Sequence, residues 1–153
     1  MEENKLVNSI GILSLAFMGD AIYEDRVRAH VIRQCPTMKV NELHKEAVKF
    51  VKASAQAKAV LDLIREEVLS ESEITVVKRG RNHASNSPKN ADMVEYKYAT
   101  GFEALLGYLY FIDSPDRMDE IIDKSINIIN NCLKKNHLCL LPKWITSIGF
   151  NSF

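Results

Sequence analysis

A chain of 153 residues, 46% hydrophobic and 26% charged, is long enough to bury a sizeable core of its own without staples. Its formal net charge is zero, which excludes a global basic field, so any affinity for nucleic acid must come from a local patch. No segment has the long uncharged apolar run of a membrane span, and Met1-Glu2-Glu3-Asn4-Lys5 lacks the basic start of a leader peptide. The three cysteines, Cys35, Cys132 and Cys139, are odd in number and widely spaced. A reducing, cytoplasmic setting away from membranes is the expectation.

Helical periodicity dominates and strand alternation is nearly absent, so the expected fold is all-α. Ile10 to about Arg33 reads as one helix, interrupted by Gly19 and ended by Pro36. Asn41 is the predicted N-cap of the next, with Leu43, Ala47, Phe50 and Val51 on its apolar face. Ser54 is the predicted cap of another, running through Ala57, Val60, Leu61 and Ile64. Ser70 and Glu73 have capping-box spacing and open a short helix predicted to end near Arg79-Gly80. Residues 80–92 then read as a polar loop, followed by a helix through Phe111. Ser114 and Pro115 are the predicted N-cap and N1 of a long last helix carrying Met118, Ile121, Ile122, Ser125, Ile129 and Cys132 in the i, i+3, i+4 rhythm. Beyond Lys135 the apolar run from His137 to Trp144 either docks or frays. The expected organisation is one domain over 1–135 and a C-terminal tail over 136–153 that is not a separate domain.

Two carboxylates interrupt this apolar pattern. Asp20 ends Leu15-Ala16-Phe17-Met18-Gly19-Asp20, and Glu103 lies within Thr100-Gly101-Phe102-Glu103-Ala104-Leu105-Leu106-Gly107. A carboxylate near a core is costly to ionise without a partner, and a shared hard cation is one such partner. Gly19 and Gly107 remove side-chain bulk at matching places, and glycine within a helix costs roughly 1 kcal/mol against alanine. Some packing or functional reason should offset that cost, and close pairing of the two helices would bring the acids together. The plain alternative is two solvated rim acids, the usual lot of charged residues.

Lys78, Arg79, Arg81 and Lys89 fall in a segment free of Asp and Glu up to Asn90, together with Asn82, His83, Ser85, Asn86 and Ser87. Cations mixed with neutral donors suit phosphate backbones, which they position without reading sequence. The plain alternative is a solvated basic loop. His30, His44 and His137 have no zinc-ligand spacing, and there is no glycine-rich phosphate loop, Gly-x-Ser-x-Gly elbow or His-Glu-x-x-His.

At the strings Leu15-Ala16-Phe17-Met18-Gly19-Asp20-Ala21-Ile22-Tyr23-Glu24, Lys78-Arg79-Gly80-Arg81-Asn82 and Tyr98-Ala99-Thr100-Gly101-Phe102-Glu103-Ala104-Leu105-Leu106-Gly107-Tyr108, the chain resembles the ribonuclease III catalytic domain. It is most similar to the short bacterial branch without a double-stranded-RNA-binding domain, Mini-ribonuclease III. The likeness runs from about Ile10 to Leu133. It implies an all-helical ribonuclease III endonuclease-domain fold, a homodimer, and Mg²⁺-dependent cleavage of double-stranded RNA to 5′-phosphate and 3′-hydroxyl ends. For the branch it implies trimming of large-subunit (23S) ribosomal RNA precursors. Asp20 and Glu103 fall on the family's essential acids, which implies that they are the catalytic and metal-binding residues. Phe17 falls on the aromatic that packs across the dimer interface. Lys78, Arg79, Arg81, Asn82, His83 and Lys89 are the expected RNA contacts. Ala16 and Thr100 stand where ordinary ribonuclease III has a glutamate and an aspartate, leaving two acids where the larger family has four. Two other readings remain: a dimer of this fold that binds RNA without cutting, and a helical protein-interaction domain.

Overall fold

The computed structural model describes residues 2–84, 89 and 92–136, with side-chain positions from Lys5 onward. Among the described residues the chain forms seven helices and no strand: α1 (Glu2–Ser9), α2 (Ile12–Gln34), α3 (Val40–Val51), α4 (Ala53–Arg65), α5 (Glu71–His83), α6 (Met93–Phe111) and α7 (Pro115–Asn136). None of them is long and apolar enough to cross a membrane. The segment 137–153, where the sequence places an apolar tail, lies outside the described residues, as do Ser85, Asn86, Ser87, Pro88 and Asn90.

α6 is the centre of the molecule. Between Ala99 and Leu109 every residue is buried except Glu103 and Tyr108, which are half-buried. A helix buried almost all round has no polar face, and its neighbours α2, α4, α5 and α7 cover it on several sides. The core joins Tyr23 and Val27 of α2 to Val60 and Leu63 of α4, Val77 of α5, Phe102, Leu105, Leu106 and Leu109 of α6, and Ile121 and Ile122 of α7. The Tyr23 and Phe102 rings meet edge to face with centroids 5.0 Å apart.

Glycines set the closest helix approaches. A methyl group at Gly19 would overlap the Glu103 carbonyl, and one at Gly107 would overlap the Leu15 carbonyl. Residue numbers rise on α2 as they fall on α6 along this seam, so the two helices run antiparallel. On α5, a Cβ at Gly80 would stand 2.8 Å from the Gly101 Cα, and one at Gly101 would stand 2.6 Å from the Val77 carbonyl. Gly80 is therefore an interior contact residue. α5 continues past the predicted end near Arg79-Gly80 to His83, because tight packing on α6 outweighs the weak helix propensity of glycine.

The predicted capping box is present: Ser70 Oγ accepts from the Glu73 amide at 3.3 Å, and the Glu73 carboxylate accepts from the Ser70 amide at 2.9 Å. Two other boundaries differ from expectation. α3 starts at Val40 after Lys39, not after Asn41, and α4 starts at Ala53 after Lys52, not after Ser54; neither N-cap makes a side-chain hydrogen bond. There the chain bends sharply between packed helices, so burial of Ala47, Phe50, Ala55 and Ala57 places the boundary rather than a cap. α1 has no counterpart in the sequence reading. α4 and α6 each end on a non-glycine residue at positive φ, Glu67 (56°) and Asp113 (52°). Both close with the paired bonds of a Schellman turn, Val68 N to Leu63 O and Ser114 N to Leu109 O, each 3.0 Å.

Candidate active site

The glycine seam decides where the two interrupting acids go. Gly19 presses on the Glu103 backbone, so Asp20 and Glu103 come from adjacent points on two touching, antiparallel helices. Asp20 is exposed and Glu103 half-buried. Desolvation raises the Asp20 pKa, with a further push from Glu24. Burial, and then the charge of Asp20, push Glu103 up to about 7, against a partial counter-effect from the Gln56 amide. Neither acid enters an ion pair among the described residues. Two carboxylates that repel each other and lack a counter-charge form an oxygen-donor pair short of positive charge. Such a donor set suits a hard cation, and magnesium is commonly held by one or two carboxylates plus waters and a substrate phosphate. Among the described residues no third His, Cys, Asp or Glu joins them as a ligand.

Ala16 and Thr100 do not add to the donors. Ala16 is buried with Ile12, Leu15, Val76 and Ala104 in a small apolar cluster. Thr100 is buried, and its hydroxyl donates to the Tyr96 carbonyl at 3.0 Å.

Gln56 is the site neighbour that the sequence reading missed. It lies in the first turn of α4, is 2% exposed, and meets the Glu103 carboxyl from a third direction. A signal was available: Gln56 stands between Ala55 and Ala57 and shares a helical face with Ala59, Val60 and Leu63, all of them buried. A polar side chain on such a face calls for a reason.

The basic residues occupy the C-terminal half of α5 rather than a loop. Lys78, Arg79, Asn82 and His83 are exposed, and Lys89 beyond the helix is also exposed. Arg81 is half-buried and held: its Nη1 donates to the Tyr98 hydroxyl at 3.2 Å, its Nε donates to Asn82 Oδ1 at 3.2 Å, and its guanidinium lies 5.5 Å from the Tyr98 ring centre. None of these cations is in an ion pair among the described residues. Gly80 contacts α6 at Thr100 and Gly101, and Gly19 contacts it at Glu103, about one helical turn further along. α6 thus carries Glu103 of the acidic pair and, at Thr100 and Gly101, packs against the helix that bears the cations.

Phe17 is 84% exposed on α2, with Leu13 and Tyr110 also exposed nearby in the fold. A hollow of about 260 Å³ that begins at the next residue, Met18, is lined by Met18, Ala21, Ile22, Asp25, Arg26, Tyr110 and Met118.

Residues 13–114 match the ribonuclease III domain family. The chain belongs to that family. The Mini-ribonuclease 3 of Thermoanaerobacter sp. is 44% identical over 135 residues, covering 84% of this chain and 93% of that protein. The Mini-ribonuclease 3 of Brevibacillus brevis is 48% identical over 118 residues, 76% of this chain and 86% of that one. Among solved structures, a crystal structure of a Fusobacterium nucleatum protein matches with a TM-score of 0.69 at 28% identity, covering 78% of this chain and 93% of that chain. Within the ribonuclease III family the chain falls with the Mini-ribonuclease III branch and is an endoribonuclease. Enzymes of the family generally use a divalent metal. The all-helical ribonuclease III fold expected from the sequence is the fold of the molecule.

Proposed function

We propose that the chain is a Mg²⁺-dependent endoribonuclease that cuts double-stranded RNA as a homodimer and matures the ends of the 23S ribosomal RNA precursor in the cytoplasm. The observation that carries this reading is the meeting of Asp20 and Glu103 on the α2–α6 seam without a counter-charge. Asp20 and Glu103 hold the ion. When bound there, magnesium lowers the pKa of a water and offsets charge on the leaving 3′ oxygen. No described side chain is set up as a nucleophile, in keeping with hydrolysis by water.

Lys78, Arg79, Arg81, Asn82, His83 and Lys89 grip phosphates and 2′-hydroxyls of an A-form duplex, and recognition is mainly of shape. Tyr98 keeps the Arg81 guanidinium in one orientation. Phe17, too exposed for a side chain of its size, enters an interface with a second copy, and the neighbouring hollow offers it a place to insert. A two-fold axis puts two equivalent sites on one duplex, one for each strand.

The test is cleavage of a plain RNA duplex with and without Mg²⁺, followed by analysis of the product ends. Asp20→Asn and Glu103→Gln are each expected to reduce single-turnover cleavage on the order of 10³-fold or more while the helical content stays unchanged. Full activity in either variant removes that residue from the mechanism. Duplex binding with no cutting at any Mg²⁺ concentration means a dimer that holds RNA only. Arg79→Ala with Arg81→Ala should flatten the salt dependence of duplex binding by roughly one phosphate contact each, read as the slope of log K against log salt.

A further inference from the structure

Gln56 is a buried amide whose two ends are treated differently. It sits in the first turn of α4 and is 2% exposed. Its Nε2 donates to the Val51 carbonyl at 2.8 Å, across the bend between α3 and α4. The same amide donates a hydrogen bond to the Glu103 carboxyl. An amide has one nitrogen carrying two hydrogens, so both bonds leave from Nε2. The other end, Oε1, is buried and has no partner among the described residues. A bare acceptor inside a protein is costly, so the residue is kept for its donor end. The alternatives explain why that donor is an amide. A serine or threonine hydroxyl carries a single hydrogen and cannot serve two acceptors. Lysine or arginine would put a positive charge beside two carboxylates that are left without one. Glutamine is neutral, carries two hydrogens and has the reach.

We propose that Gln56 is a positioning residue for Glu103: its Nε2 bridges the Val51 carbonyl and the Glu103 carboxyl and so ties the acid to the α3–α4 bend. Gly19 already fixes the Glu103 backbone against α2. The glutamate side chain keeps its own rotational freedom beyond that backbone, and the tether stops the carboxyl from turning away from Asp20. An incoming ion then meets an acid pair with one member already oriented, and the tether adds no charge of its own to compete with it. The proposal rests on the acid pair being the cation site. Gln56 touches neither RNA nor the reacting atoms.

The experiment measures Mn²⁺ binding to the full chain without RNA, by the electron paramagnetic resonance signal of free Mn²⁺, alongside thermal unfolding of the ion-free protein. Gln56→Met keeps the length of the side chain and removes the donor. Ala59→Gly, about one turn further along α4 and also buried, weakens the same helix and leaves the amide in place. The expected result is Mn²⁺ affinity about tenfold weaker in Gln56→Met and unchanged in Ala59→Gly, although both unfold at lower temperature. Equal affinity in Gln56→Met and wild type overturns the proposal. So does an equal loss in Ala59→Gly, which makes the effect a general loosening of α4. The side-chain amide signals of Gln56 in a ¹⁵N–¹H spectrum give a second reading that needs no variant at position 56. Glu103→Gln exchanges a charged acceptor for a neutral one, so a Gln56 amide proton bonded to it shifts upfield; signals that stay in place overturn the proposal even where Gln56→Met does not fold. Asp20→Asn separates the two layers. If it binds Mn²⁺ like wild type, the acid-pair reading itself is wrong; if it loses Mn²⁺ while Gln56→Met does not, the acid pair stands and the role of Gln56 falls.

Discussion

Glu73 and Glu103 are the same side chain in two opposite settings. Glu73, 5% exposed, accepts from Arg117 Nε and Nη2, both at 2.9 Å, and caps α5 through the Ser70 amide. The same guanidinium donates to the Val68 carbonyl at 2.7 Å, so one arginine of α7 ties the end of α4 to the start of α5. The Arg117 hydrogen bonds hold the Glu73 pKa below the usual carboxylate value despite burial. Glu103 shows more of its surface, yet with no cation beside it desolvation of the carboxyl, and then Asp20, push its pKa up to about 7. What separates them is the neighbour. An acid given a cation by its own chain holds the fold together, whereas an acid given a second acid is left without a counter-charge.

The contrast can be broken at its geometric root. Gly19→Ala puts a methyl group into the Glu103 carbonyl and must move α2 off α6; a loss of about 3 kcal/mol in urea unfolding is expected, with cleavage lost as well. Gly11→Ala, at the N-cap of α2 where a Cβ would meet only Ser14 Oγ at ordinary contact distance, should cost about 1 kcal/mol or less and serves as the control. Next, Glu73→Gln should destabilise by about 2 kcal/mol at pH 7, because it leaves the Arg117 guanidinium without its partner charge. The Glu73 pKa is depressed, so its contribution is present above the unfolded value of 4.5 and is lost as pH falls through the folded value; the variant's deficit should therefore shrink in acid. Glu103→Gln should do the reverse. The folded protein holds the Glu103 proton more tightly than the unfolded chain between 4.5 and about 7, so stability falls as pH rises through that window. Without divalent ions the variant should gain about 1 kcal/mol at pH 8 and nothing at pH 5, read from thermal unfolding. A pH-independent effect would mean that the two glutamates do not differ as described.

Most of the helical frame was legible in the sequence, because apolar spacing and the Ser70–Glu73 box are local signals. The acid pair was legible through Gly19 and Gly107, where the cost of helical glycine pointed to contact between backbones. The starts of α3 and α4 were not, because tertiary burial around Phe50 and Ala57 places them and the nearby Asn41 and Ser54 are decoys. The basic stretch read as a loop because Gly80 looks like a stop signal until Gly101 is known to sit against it. Gln56 was passed over for a similar reason: its meaning depends on Glu103, which is 47 positions away in the chain and adjacent in space.

Where α2 crosses α6, main chain meets main chain, with no side chain in between to act as a cushion. The span between Asp20 and Glu103 is therefore insulated from changes in core volume elsewhere, since repacking a leucine or valine shifts side chains long before it shifts two backbones already in contact. Core residues such as Val60 or Ile121 are thus free to drift among apolar alternatives over evolutionary time, while the two crossing glycines have no substitute.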